Sequence, residues 1–266
     1  MALTELDVAW GEPSTGAVVA LQFRPTREVL ERAGELCQSA SGDERRLGVH
    51  ILAELQELEH VGEYRPAFRE ESMDVLLGLA EREQDTDVLV EVARAFGYRR
   101  DPRALEPLLR YRDHPEQPMR FFVACSLRSC RTEDNEDQVV GALIELTNDD
   151  DGAVRDYALF GLRELEVDSV NVREAMLRRV RDPDSSAAGE ALVGLAMLGD
   201  ERGIEPLLEF LQSAPPDRVH SYGLKAASTH GDARLLSALR GLKEQHGEWT
   251  GLDEAIRACA PDMSAD

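Results

Sequence analysis

The chain has 266 residues with 42% apolar side chains, enough to build a core, and its 52 acidic against 30 basic residues leave a formal charge of −22. A chain that repels phosphate on average is excluded as a nucleic-acid or anionic-membrane binder. There is no long uncharged apolar stretch, and Met1 to Gly11 carries Glu5 and Asp7 where a secretory signal carries Lys or Arg, so a soluble cytoplasmic protein is expected.

Residues 1–24 follow no periodic pattern and are read as an N-terminal extension, with Ala17 to Phe23 the one short run of strand character. From Arg27 onward the apolar spacing is helical and falls into pairs. First helices are predicted over Arg27 to Ser39, Glu71 to Glu83, Leu105 to Arg112, Asp137 to Leu146, Val172 to Val180, Ile204 to Gln212 and Leu235 to Lys243. Second helices are predicted over Glu44 to Glu57, Asp87 to Tyr98, Pro118 to Ser129, Ala153 to Leu165, Ser186 to Leu198, Arg218 to Ser228 and Leu252 to Cys259. The boundaries carry their own chemistry. Ser41-Gly-Asp-Glu44 reads as a capping box, Asp85 and Asp151 as N-caps, and Gly199-Asp200 and Gly231-Asp232 as helix ends followed by turn residues. Pro107 and Pro206 are tolerated only in a first helical turn, where the missing N–H had no partner.

Internal repetition explains the pairing. Asp101-Pro-Arg103-Ala-Leu105-Glu-Pro107-Leu-Leu109 matches Asp200-Glu-Arg202-Gly-Ile204-Glu-Pro206-Leu-Leu208, and Asp232-Ala-Arg234 repeats the opening. The Asp residues are 99 and 32 positions apart, a period close to 33. Second helices share Arg-x-x-Ala-x-x-Gly-Leu-x-x-Leu, clearest at Arg155, Ala158, Gly161, Leu162 and Leu165. These offsets describe one helix face, whose small residues let a neighbouring helix approach closely.

A two-helix unit of this period, with these two motifs, resembles a HEAT repeat, and more narrowly the short HEAT-like repeats associated with phycobilisome bilin lyases. The resemblance covers about Pro25 to Pro261. It implies an all-α superhelix, a single solenoid over residues 25–266 of about seven helical hairpins, with second helices lining a concave side.

Little in the chain carries catalytic chemistry. The HEAT-like deoxyhypusine hydroxylases bind iron through His-Glu pairs, and no histidine here is followed by Glu. The four cysteines form no Cys-x-x-Cys pair, so neither metal site nor disulfide framework is signalled, and no catalytic residue or cofactor is assigned. The functional expectation is a non-catalytic adaptor or scaffold that holds a protein partner in the concave groove. Its charge favours a basic partner, and an immunity-like role against a basic effector is one version. The alternative, implied by the resemblance, is a bilin-lyase-like chromophore attachment factor. Groove-facing offsets on the second helices select Glu91, Arg94, Phe122, Tyr157, Phe160, Glu190 and Tyr222 as partner-binding residues. The rings either line the groove or pack between hairpins, because one residue of helical phase separates the two readings. The Arg column, Arg45, Arg120 and Arg155 with Arg103, Arg202 and Arg234, either grips acidic ligands or pairs with the capping Asp residues of neighbouring repeats.

Overall fold

Side-chain caps and apolar periodicity make most of the chain helical. In the computed structural model, residues 16–60, 63–247 and 249–260 are described. The chain divides after Val139 into two compact units. The first contains α1 (Gly16–Gln22), α2 (Arg27–Leu36), α3 (Gly42–Ala53), β1 (Gln56–His60), β2 (Glu63–Pro66), α4 (Arg69–Arg82), α5 (Thr86–Arg99), α6 (Leu105–Tyr111) and α7 (Gln117–Leu127). The boundary falls within α8 (Glu136–Leu146). The second unit continues with α9 (Gly152–Leu165), α10 (Val170–Leu177), α11 (Ser185–Met197), α12 (Ile204–Ser213), α13 (Pro216–Arg218), α14 (Leu224–His230), α15 (Leu236–His246) and α16 (Leu252–Cys259).

Second helices stack on second helices. In the first unit α5 packs between α3 and α7; in the second, α11 packs between α9 and α14, and α14 against α16. First helices cover the other side of each layer, α2 on α3, α4 on α5, α6 on α7, α10 on α11 and α15 on α16. The expected small-residue approach is present. A Cβ on Gly194 of α11 would meet the Met176 thioether of α10 at 2.6 Å. The first core holds Leu52, Met73, Leu76, Phe96 and Leu108, the second Leu143, Leu159, Leu192 and Leu207. Each such fully buried side chain contributes about 1.5–3 kcal/mol.

Caps fall where the turn residues predicted them. Asp85 accepts from Asp87 N at 3.0 Å, and Asp151 accepts from Ala153 N and Val154 N at 2.9 and 3.1 Å. Asp184 does the same for α11. The Asp-x-Arg motif opens a short 3-10 turn: the Asp101, Asp200 and Asp232 carboxylates accept from the backbone N–H of Arg103, Arg202 and Arg234. Each guanidinium then folds back on the same Asp. That turn leads into α6, α12 and α15, so Pro107 and Pro206 sit within a first helical turn.

The Arg column is structural, with partners other than the neighbouring caps expected. Arg45 forks onto Glu83 at 2.6 and 3.1 Å and donates to the Ser39 and Ala40 carbonyls. Arg155 forks onto the buried Asp182 carboxylate at 2.8 and 2.6 Å and donates to the Asp149 and Asp150 carbonyls. Arg120 donates to the His114 and Pro115 carbonyls at the same two upstream positions. The acid in each pair stands two residues before the cap of the next second helix, Asp85 or Asp184, and accepts that cap's N–H. Each clamp therefore ties two consecutive repeats at their turns.

Two segments depart from the sequence reading. Ala17 to Phe23 is helical through Gln22, as α1, rather than extended. The helix expected to reach Glu57 stops at Ala53, and a β-hairpin follows, with Glu57 opposite Arg65 and Leu58 opposite Tyr64. The cause lies far along the chain. Arg99, 1% exposed, donates to the carbonyls of Leu52 at 2.6 Å, Leu55 at 3.1 Å and Ala67 at 3.5 Å. Those carbonyls lie at the end of α3 and the base of the hairpin, where a cation also meets the negative end of the helix dipole. Burial holds the guanidinium down to about 10.

Candidate functional site

The residues selected from sequence on α5 and those on α9 and α11 each belong to a cluster of charged and aromatic side chains, one in each unit. In the first unit, Arg94 of α5 is the centre. It donates to Glu91 one turn earlier at 2.9 Å and to Glu54 beyond the end of α3 at 3.1 Å, and its other nitrogen lies 2.7 Å from His50 Nδ1. The guanidinium also sits 5.2 Å from the centre of the exposed Tyr98 ring. Burial, and then the Arg94 charge, push His50 below its ordinary value against the opposing pull of Glu91 and Glu54. Glu91 and Arg94 thus spend their charge on each other and on α3. Phe122 of α7 is half-buried, edge-on to Phe121 with centroids 5.1 Å apart.

In the second unit, α9 presents Tyr157 and Phe160 in a T-shaped pair 6.2 Å apart. Arg163, one turn further, stacks 5.0 Å over the Phe160 ring and donates to Glu190 of α11 at 2.7 Å. Tyr157 remains 40% exposed, whereas Glu190 is only 6% exposed. Burial raises the Glu190 carboxyl above the usual range despite the favourable charges of Arg163 and Lys225. Of the two readings of the rings, Tyr157 faces solvent and Phe160 is half-buried against Arg163.

Tyr222 adjoins the same cluster from an irregular stretch of helix. Between α13 and α14, Val219–Gly223 forms a π-helical turn. Such turns are rare and recur at functional sites. The Tyr222 ring lies against Gly189 of α11 so closely that a Cβ there would stand 2.4 Å from it. Burial, with Asp156 and Glu190 nearby, raises the Tyr222 phenol, and Ser186 is its hydrogen-bonding neighbour.

Asp156 was not selected from sequence. It adjoins Tyr157 on α9 and is half-buried, and its Oδ1 is buried with no hydrogen-bond partner among the described residues. Burial, reinforced by Glu190 and Asp184 and opposed by Arg218, pushes its carboxyl up to about 7. No spacing rule marks it, because the groups that surround it come from α11, its N-cap and α13.

Stacked two-helix repeats of this kind define a HEAT-like helical-repeat protein, and residues 139–227 match the family model described as HEAT repeats. In sequence, the chain is similar to protein YibA of Escherichia coli K12, 28% identical over 105 residues, which are 40% of this chain and 36% of that protein. The sequence match therefore spans about a third of the curated relative's length. In structure, it is similar to Escherichia coli YibA, with a TM-score of 0.73, 19% identity, and coverage of 97% of this chain and 90% of that one. It also resembles the complex of CpcE and CpcF of phycocyanin lyase from Nostoc sp., with a TM-score of 0.54, 18% identity, and coverage of 95% of each chain. At these identities the likeness is one of fold. No helix among the described residues is long and apolar enough to cross a membrane.

Proposed function

We propose that the chain is a non-catalytic adaptor or scaffold that holds a protein partner of basic character along the exposed face of its second helices. The observation that carries this reading is the second unit's cluster. Exposed Tyr157 stands edge-on to Phe160 on the helix that carries Asp156, and the Asp156 and Glu190 carboxyls are both raised above their usual range, on a chain of net charge −22. Aromatic rings beside partly desolvated charge are the groups that dominate protein interfaces. The charge would speed encounter with a basic partner at low salt. Within the first unit, Glu91, Arg94 and Phe122 would line the equivalent face, with Tyr98 its most exposed ring. The chromophore-attachment alternative rests on the fold resemblance alone. The test is affinity capture of a stoichiometric partner from cells expressing the tagged chain, set against Tyr157→Ala/Phe160→Ala. Loss of the partner with helicity and melting unchanged supports the reading; unchanged capture, or collapse of helicity, contradicts it.

A further inference from the structure

The β-hairpin that interrupts the repeats in the first unit leaves one strand edge open. Just below the pair Gln56 and Pro66, Ala67 N–H donates to the Leu55 carbonyl at 2.9 Å. Bonded and non-bonded pairs alternate along an antiparallel ladder, so Glu57 and Arg65 face each other through their backbone bonds, while the N–H and C=O of Gln56 and Leu58 point away from β2. Pro66, which has no N–H to donate, stands at a non-bonded position, as this phase requires. Among the described residues β1 has no second strand beside it, and no other group bonds to the outward N–H and C=O of Gln56 and Leu58. The side chains at this edge are exposed too. Leu58 is 58% exposed and opposes the exposed Tyr64, whose ring lies edge-on to the exposed Phe23 with centroids 5.0 Å apart. Along β1, Leu58 is flanked by Glu57, bridged to Arg65 at 2.8 Å, and by the exposed Glu59, which has no ion pair among the described residues.

We propose that β1 is a docking edge for an extended segment of a protein partner, alternately basic and apolar, which adds to the hairpin as an antiparallel third strand. The charges select this occupant. A second copy of the chain, paired antiparallel at Leu58, sets Glu57 of each copy against Glu59 of the other, and like charges directly opposite destabilise a ladder. Charged residues on an edge strand keep identical edges apart in this way. A strand with Lys or Arg at those two places meets opposite charge instead, and an apolar residue opposite Leu58 extends the face made by Leu58, Tyr64 and Phe23. The outward N–H and C=O groups supply the main-chain bonds that give strand addition its affinity. The general attraction of a chain of net charge −22 has the same sign. This surface is additional to the exposed face of the second helices and does not depend on it.

The probe is a fluorescein-labelled octapeptide, Ser-Lys-Val-Lys-Val-Lys-Ser-Gly, titrated into the full chain and followed by anisotropy. Its control is the same peptide with both Val N-methylated, which keeps the charge and side chains but removes the N–H groups that face β1. The N-methylated peptide therefore measures general attraction to an acidic chain, and it should bind about tenfold more weakly than the parent. Hydrogen exchange gives the second readout: the Gln56 and Leu58 amides should slow when the parent peptide is added. Leu58→Pro removes an N–H that points outward and breaks no bond within the hairpin, so it should weaken the parent peptide about as much as N-methylation does. Glu59→Lys, at an exposed position, should also weaken it severalfold and guards against a hairpin damaged by proline. Equal affinity for the two peptides, absence of binding, or unchanged exchange at Gln56 and Leu58 would overturn the proposal. So would native affinity in both variants. The adaptor reading is judged separately by partner capture with Tyr157→Ala/Phe160→Ala, which alters no residue of the hairpin.

Discussion

The clusters of the two units use the same residue types to opposite ends. In the first, a single guanidinium, Arg94, is met by Glu54, Glu91 and His50, so each of these groups has a partner within the fold. In the second, Arg163 is hydrogen-bonded to Glu190, and Asp156 is left with an unmatched oxygen under burial. One cluster is therefore a brace between α3 and α5, and the other keeps a buried carboxylate oxygen without a partner among the described residues. The lesson is that repeat position alone does not define a binding residue. Glu91 and Glu190 occupy the same offset in their repeats, yet each is held by an arginine, and the carboxyl left unmatched stands one position before that offset.

The largest effect should come from breaking the brace. Arg94→Met strands Glu54 and Glu91 against a partly buried surface and should cost about 3 kcal/mol in urea unfolding. A loss below about 0.5 kcal/mol would mean the first cluster is no brace. Next, Gly189→Ala drives a methyl into the Tyr222 ring and should cost about 2 kcal/mol while displacing the ring and weakening partner capture. Retained capture would remove Tyr222 from the site.

A smaller change has the opposite sign. The Asp156 carboxyl is raised to about 7 from 3.8, so the folded state holds a proton that the unfolded chain releases earlier, and stability falls as pH rises between those values. Asp156→Asn removes this penalty. After allowance for partial exposure, it should stabilise the protein on the order of 1 kcal/mol at pH 8, the gain shrinking toward pH 4. His50 works the other way. Its value is depressed, so the first unit should lose stability as pH falls below the ordinary 6.5. Hydrogen exchange resolved by unit, at pH 7.5 and 5.5, should show protection falling around α3 and α5 and rising around α9 and α11. Parallel changes would erase the contrast. Smallest in stability is Tyr157→Ala, within about 0.5 kcal/mol because the ring is exposed. Its effect should appear in partner affinity instead, and a large melting shift would reassign the ring to the core.

The repeat architecture was legible because its signals are local or periodic. Asp101 and Asp200 cap the turns their motifs specify, Pro107 and Pro206 lie in first turns, and small residues sit where helices meet. What escaped depends on partners distant in sequence. Gln56-Glu-Leu-Glu-His60 is too charged and too poor in β-branched residues to read as a strand, and a guanidinium from residue 99 ends the preceding helix. Arg99 itself looks like a surface residue beside Arg100. The π-helical turn at Val219–Gly223 has no sequence signature, so nothing foretold that Tyr222 would lie on Gly189. The rings of the candidate site were visible as a list. Asp156 was not, because its character comes from burial against α11 rather than from its neighbours in the chain.

The contrast between the clusters, a brace in the first unit and a buried, unmatched Asp156 oxygen in the second, is tested most directly by carboxyl carbon NMR of Asp156 across pH. The expected result is a midpoint near 7. A midpoint in the usual carboxylate range would contradict it.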